Sequence, residues 1–106
     1  MLIKQLNLLD KYTLWHIRIL HLFRNPKAFE QVDVSGVMMG SANIVVKQVY
    51  PEIANEPELL GKIVKDLQTD GMMPEGNFLG TMMTSSGIVS PRITELGSKF
   101  LDFILE

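Results

Sequence analysis

His16 and His21 are the only imidazoles in this chain of 106 residues, and there is no cysteine. Metal chemistry would need them to converge with carboxylates. At five residues apart on a helix they diverge by about 140°, since each residue turns about 100°, whereas helix-borne ligand pairs use four-residue spacing. With no third ligand in view, both read as partly exposed residues on the polar strip of a helix, and no metal is expected. Ser85, Ser86 and Ser90 are nucleophiles by type only. No Gly-x-Ser-x-Gly elbow surrounds them, and serines in such a stretch ordinarily satisfy turn backbone. The glycines between 36 and 40 and between 71 and 80 match neither Walker spacing nor a Gly-x-Gly-x-x-Gly fingerprint. Glu56 and Glu58 read as first-turn carboxylates at the positive end of a helix, in preference to an acid/base pair. No convergent titratable set emerges, so neither an enzyme nor a cofactor is expected.

The elements that would carry these residues belong to one domain, residues 1–106, with 46% apolar and 21% charged residues. A chain of this size buries roughly two thirds of its unfolded surface, enough for a core without staples. The empty cysteine count excludes disulfide scaffolds and Cys-based metal sites. No apolar run approaches the roughly 18 to 20 residues of a membrane span, and the N-terminus lacks the basic-then-apolar layout of a signal peptide. A cytoplasmic protein making no membrane contact is the expectation.

Apolar spacing predicts a first helix over Leu2 to Leu9. A second runs from Leu14 to Phe23, capped by Thr13, apolar over most of its circumference and therefore central, and stopped at Asn25-Pro26. Residues 26–40 read as loop. Ser41 can cap a helix buried through Val45, Val46, Val49, Tyr50 and Ile53, with Pro51 kinking or ending it. Asn55-Glu56-Pro57-Glu58 has the layout of a capping box, with Asn55 as cap, opening a helix whose stripe is Leu59, Leu60, Ile63, Val64 and Leu67 and which closes at Gly71. Phe78 to Met83 and Ile88 to Ile93 read as short strands joined by Thr84-Ser85-Ser86-Gly87, a hairpin whose second strand is held to an edge by Pro91. Thr94 then caps a last helix through Leu105, in which Gly97 allows close approach to a neighbour.

Helices followed by a hairpin and a last helix give an α+β class, mostly helical, in the order of a winged helix containing a helix-turn-helix. Residues 59–73, Leu-Leu-Gly-Lys-Ile-Val-Lys-Asp-Leu-Gln-Thr-Asp-Gly-Met-Met, are similar to the recognition helix and following turn of bacterial winged-helix proteins. Residues 92–101, Arg-Ile-Thr-Glu-Leu-Gly-Ser-Lys-Phe-Leu, resemble the wing-to-helix junction of the same superfamily. A narrower resemblance, carried by residues 10–20 and Asn25-Pro26, is to the start of a C-terminal winged-helix-like module in a group of uncharacterised bacterial proteins. It implies that the chain corresponds to the C-terminal part of a longer protein or to a short natural form, and it brings no activity with it.

Two function classes remain. Seven methionines include the pairs Met38-Met39, Met72-Met73 and Met82-Met83. Methionine is unbranched and adaptable, so such pairs either fill core, one member inward on a strand, or form an apolar contact surface running from Met72 and Met73 through Phe78 to Met82 or Met83. With Phe103 on the apolar last helix, these are the candidate contacts of a non-catalytic module that binds a protein partner or itself. The alternative is a DNA-binding regulator whose Lys47, Lys62, Lys65 and Arg92 would touch phosphates. Charge disfavours it. Ser41 to Asp70 has three lysines against five carboxylates, net -2, and Gly71 onward has two cations against four carboxylates, again -2, while Met1 to Glu30 has five against two, +3. Affinity for DNA comes from neutralising phosphate with Lys and Arg, and the divided charge suits a head-to-tail or complementary protein contact better.

Overall fold

Three residues that precede a proline cut the first half of the chain into helices. Asn25 (φ -159°, ψ 85°), Tyr50 (φ -131°, ψ 69°) and Glu56 (φ -121°, ψ 72°) all leave the helical region, because the following ring collides with a helical predecessor. The computed structural model describes residues 12–105, and the helix expected over Leu2 to Leu9 lies outside them. Helix α1, Leu14–Arg24, ends at the first break and is followed by a 3-10 turn, Pro26–Ala28. Helix α2, Asn43–Val49, ends at the second, where the short α3, Pro51–Ala54, begins. Helix α4, Pro57–Thr69, starts at the third. A one-turn α5, Ser85–Ile88, and α6, Glu95–Leu105, complete the order.

Helix α1 is central, as its composition requires: it packs on both α4 and α6, while α3 bridges α2 and α4. Ile19, Leu20, Leu22 and Phe23 have no exposed surface, and each contributes on the order of 1.5 to 3 kcal/mol by leaving water. The end of α4 aims two further side chains into this core. Gly71 takes the left-handed conformation (φ 77°). Its N–H donates to the Gln68 carbonyl at 3.1 Å and the Met72 N–H to the Leu67 carbonyl at 2.8 Å, the paired closing bonds of a Schellman turn. Met72 and Met73 therefore both face inward and are buried.

The same turn seats α6. The Thr94 N–H donates to the Met72 carbonyl at 3.0 Å. Its hydroxyl donates to the Gly71 carbonyl at 2.5 Å and accepts from the Gly97 N–H at 3.0 Å, capping α6. A Cβ on Gly97 would stand 2.2 Å from the Met72 carbonyl oxygen, which is the close approach that the glycine was expected to serve.

Several expectations are overturned. The class is helical, not α+β: 56% of the described residues are helical and 2% pair as strand, so there is no β-hairpin, no wing and no winged helix. Thr84 (φ -70°, ψ 166°) precedes a helical turn at Ser85, because Thr-Ser-Ser suits a helix start as well as a bend. Gly87 lies inside that turn, so the four residues continue into Ile88 as helix and do not close a hairpin. The only extended pairing among the described residues is an antiparallel bridge between Gly40 and Met83, with N–H to carbonyl distances of 2.9 and 2.7 Å. Two caps also shift by one. Ala42, not Ser41, precedes α2. Glu56, not Asn55, precedes α4, because Asn55 is spent ending α3.

Gly97 and Gly61 sit in helices with opposite surroundings. Nothing lies within 4 Å of a Cβ placed on Gly61. Gly97→Ala is expected to destabilise the fold by about 1 to 3 kcal/mol, as overpacking does, and Gly61→Ala to stabilise it by about 0.5 to 1 kcal/mol, both measured from urea unfolding midpoints. Equal effects of the two substitutions would contradict the close contact at Gly97.

Candidate functional site

Two residues four apart across the cap of α1 meet two residues four apart at the closing end of α4. Tyr12 and His16 stand on one side of the seam, Asp66 and Asp70 on the other. The Tyr12 hydroxyl donates to Asp70 Oδ2 at 2.7 Å, and its ring stacks on the His16 ring with centroids 4.9 Å apart and planes 3° from parallel. His16 is buried. Its Nδ1 accepts from the Thr13 N–H at 3.1 Å, and the Thr13 hydroxyl lies 2.9 Å from the same nitrogen. An N–H can only donate, so Nδ1 is the acceptor and Nε2 carries the proton donated to Asp66 Oδ2 at 2.9 Å. His16 thus takes the part in capping α1 that Glu or Gln has in a capping box. This corrects the reading of His16 as partly exposed; His21 is exposed.

The seam sets the charge states of its members. The hydrogen bond from His16 holds the Asp66 carboxyl below its ordinary 3.8 against an opposing cost of burial, with help from Lys62 3.4 Å away. Burial, then the hydrogen bond to Asp70, pushes the Tyr12 hydroxyl well above its ordinary 10.0. A cleft of about 210 Å³ opens beside the seam between Trp15, Leu59 and Ile63. The Trp15 ring is braced edge-on by Tyr50 with centroids 5.4 Å apart, and the Arg18 guanidinium lies 5.0 Å from its centroid. Hydroxyl, imidazole and carboxylate stand in line here, yet the Nδ1 lone pair is already shared with the backbone of Thr13. The arrangement fastens α1 to α4. Among the described residues no group of three or more His, Cys, Asp or Glu is placed to hold a metal ion.

The methionines divide three ways. Met72, Met73 and Phe78 are buried and offer no contact surface. At the Gly40–Met83 bridge, Gly40 is buried and Met83 half-buried, while their neighbours Met39 and Met82 are 54% and 61% exposed. Met38 is 86% exposed beside them. Met83 lies against Gly87, and its Sδ accepts from the Arg92 guanidinium at 3.0 Å. On α6, Phe103 and Leu96, seven residues apart and on one helix face, are both partly exposed.

Among the phosphate-contact candidates, Arg92 is half-buried. Its guanidinium donates to the Gly87 and Ser90 carbonyls at 2.8 and 2.9 Å and lies 5.3 Å from the Phe78 ring centroid, and burial pulls its pKa down. Lys47, Lys62 and Lys65 are all exposed, and Lys62 pairs with Asp66. The Ser90 hydroxyl donates to the Ser86 carbonyl at 2.8 Å. The seam was not expected, whereas Met82 and Phe103 were expected as contacts and are exposed; Met38 and Met39 join Met82 only through the bridge. The matched four-residue spacings, Tyr12 with His16 and Asp66 with Asp70, were the available signal for the seam.

Because its folded pKa is raised, Tyr12 contributes stability that is complete below about pH 10 and is lost as pH rises through the folded value. The urea midpoint of the native chain is expected to fall between pH 8 and pH 11, and to fall less in Tyr12→Phe. Tyr50, also raised mainly by burial, is present in both chains and cancels in the comparison. An equal fall in both chains would remove Tyr12 from the seam. No helix among the described residues is long and apolar enough to cross a membrane. Comparison of the chain with family models, with curated proteins and with solved structures returns no match.

Proposed function

We propose that this protein is a non-catalytic association module whose contact surface is the methionine face made by Met38, Met39 and Met82, with a second copy of the chain as the partner. The observation that carries the reading is the Gly40–Met83 bridge, which brings two methionine pairs from opposite halves of the chain together and leaves three of the four side chains in water. Exposed methionines are adaptable apolar contacts. Exposed apolar side chains brought to one place ordinarily mark an interface.

Charge supports a second copy. The first thirty residues carry +3, and each of the segments 41–70 and 71–106 carries -2, so the sequence supplies groups of both signs for a complementary contact between copies. The exposed strip of Leu96 and Phe103 on α6 offers a further apolar contact. A cytoplasmic setting is part of the proposal, supported by the lack of cysteine. The resemblance of residues 10–20 and Asn25-Pro26 to uncharacterised bacterial modules adds no activity to it.

Sedimentation velocity across micromolar to millimolar concentration tests the reading. A concentration-dependent dimer is expected, and Met39→Lys with Met82→Lys should weaken it about tenfold or more while leaving the thermal melt unchanged. A chain that stays monomeric to millimolar concentration overturns the proposal.

A further inference from the structure

We propose that Met38, Met39 and Met82 form a redox-modification site at which a hydroperoxide converts the contact face from apolar to polar. Thioether sulfur attacks the terminal peroxide oxygen. The O–O bond breaks, an S=O bond forms, sulfur is oxidised by two electrons, and the proton of the attacked oxygen passes to the departing oxygen, which leaves as an alcohol, or as water when the oxidant is hydrogen peroxide. Methionine sulfoxide is polar and chiral, and it is reversible by a reductase. Three such changes on one small face replace adaptable apolar contacts with groups that hold water.

The fold sorts the methionines by access. Met38, Met39 and Met82 are 86%, 54% and 61% exposed, whereas Met72 and Met73 are 0% and 1% exposed behind the closing turn of α4. Oxidation of that core pair requires local opening, whereas the surface set reacts in the native state. Met83 is the instructive case. It neighbours Met82 in sequence, yet its sulfur lone pair faces the Arg92 guanidinium at 3.0 Å and its side chain lies against Gly87. An oxygen on that side of the sulfur has no room, and a lone pair engaged by a cation is a poorer nucleophile. The clamp that spares Met83 also holds the Gly87 and Ser90 carbonyls, so the loop carrying Met82 keeps its place while Met82 is oxidised.

The effect on association rests on the function proposed above; the pattern of modification does not. The folded chain is treated with graded hydrogen peroxide, checked by circular dichroism, and mapped by peptide mass spectrometry. Met38, Met39 and Met82 are expected to oxidise about tenfold or more faster than Met72 and Met73, with Met83 slower than Met82, an unchanged spectrum, and full reversal by the two methionine sulfoxide reductases together, one for each sulfoxide epimer. Oxidation of Met72 and Met73 at the surface rate, or of Met83 at the rate of Met82, overturns the proposal. Sedimentation of the oxidised chain provides the second readout. Oxidation should dissociate the native dimer and leave intact the dimer of a Met38→Leu, Met39→Leu, Met82→Leu chain, which keeps an apolar face without oxidisable sulfur. Equal loss in both overturns the assignment to these residues. A native chain that never dimerises, yet shows the expected oxidation pattern, defeats the association reading and leaves the modification site standing.

Discussion

The approach of Gly97 to the Met72 carbonyl is the contact on which the other arrangements depend. A helix that passes this close to the closing turn of another must start there, and Thr94 makes it start there by donating twice to that turn while capping α6. With α6 so placed, Phe100 and Leu101 enter the core beside α1. Two residues before Thr94, the Arg92 N–H reaches the Phe23 carbonyl at 2.7 Å. Its side chain then meets Met83. One backbone-to-backbone contact between helices thus propagates, by way of Thr94 and Arg92, to the exposed methionines on the far side of the loop.

The seam of Tyr12, His16, Asp66 and Asp70 governs the other flank. Polar groups withdrawn from water cost stability unless each finds a partner, and here the partners lie on different helices. Sliding α1 along α4 by one turn would separate the His16–Asp66 and Tyr12–Asp70 pairs together. Apolar contacts alone tolerate such a shift better, because a stripe of Leu, Ile and Val offers similar surface at successive turns. The seam therefore fixes register, while the burial of Ile19, Leu20, Leu22 and Phe23 supplies most of the driving force.

What was legible in the sequence was local. Asn25-Pro26, Pro51 and Pro57 break helices wherever they occur, Gly71 closes a helix for reasons of its own backbone, and an apolar circumference makes α1 central. What was illegible depends on partners distant in the chain. Phe78 to Met83 has strand-like composition, but the residue that pairs with it is Gly40, and nothing near either segment announces the other. The Thr84 to Gly87 stretch suits a bend and a helix start equally, so local chemistry leaves the choice to packing. Met72 and Met73 were read by alternation along a strand, whereas a Schellman turn sends both inward. The charge division was legible from the start, and it survives the change of fold class because it depends on position along the chain.

The Gly40–Met83 bridge consists of two backbone hydrogen bonds joining segments that otherwise run as loops. Beside it the Ala42 N–H donates to the Phe78 carbonyl at 3.2 Å, and Arg92 holds Met83 from the other side. The exposed methionines are therefore placed by backbone bonds and by a half-buried cation, not by contacts of their own side chains. A substitution at Met38, Met39 or Met82 changes the chemistry of the face without changing where it stands.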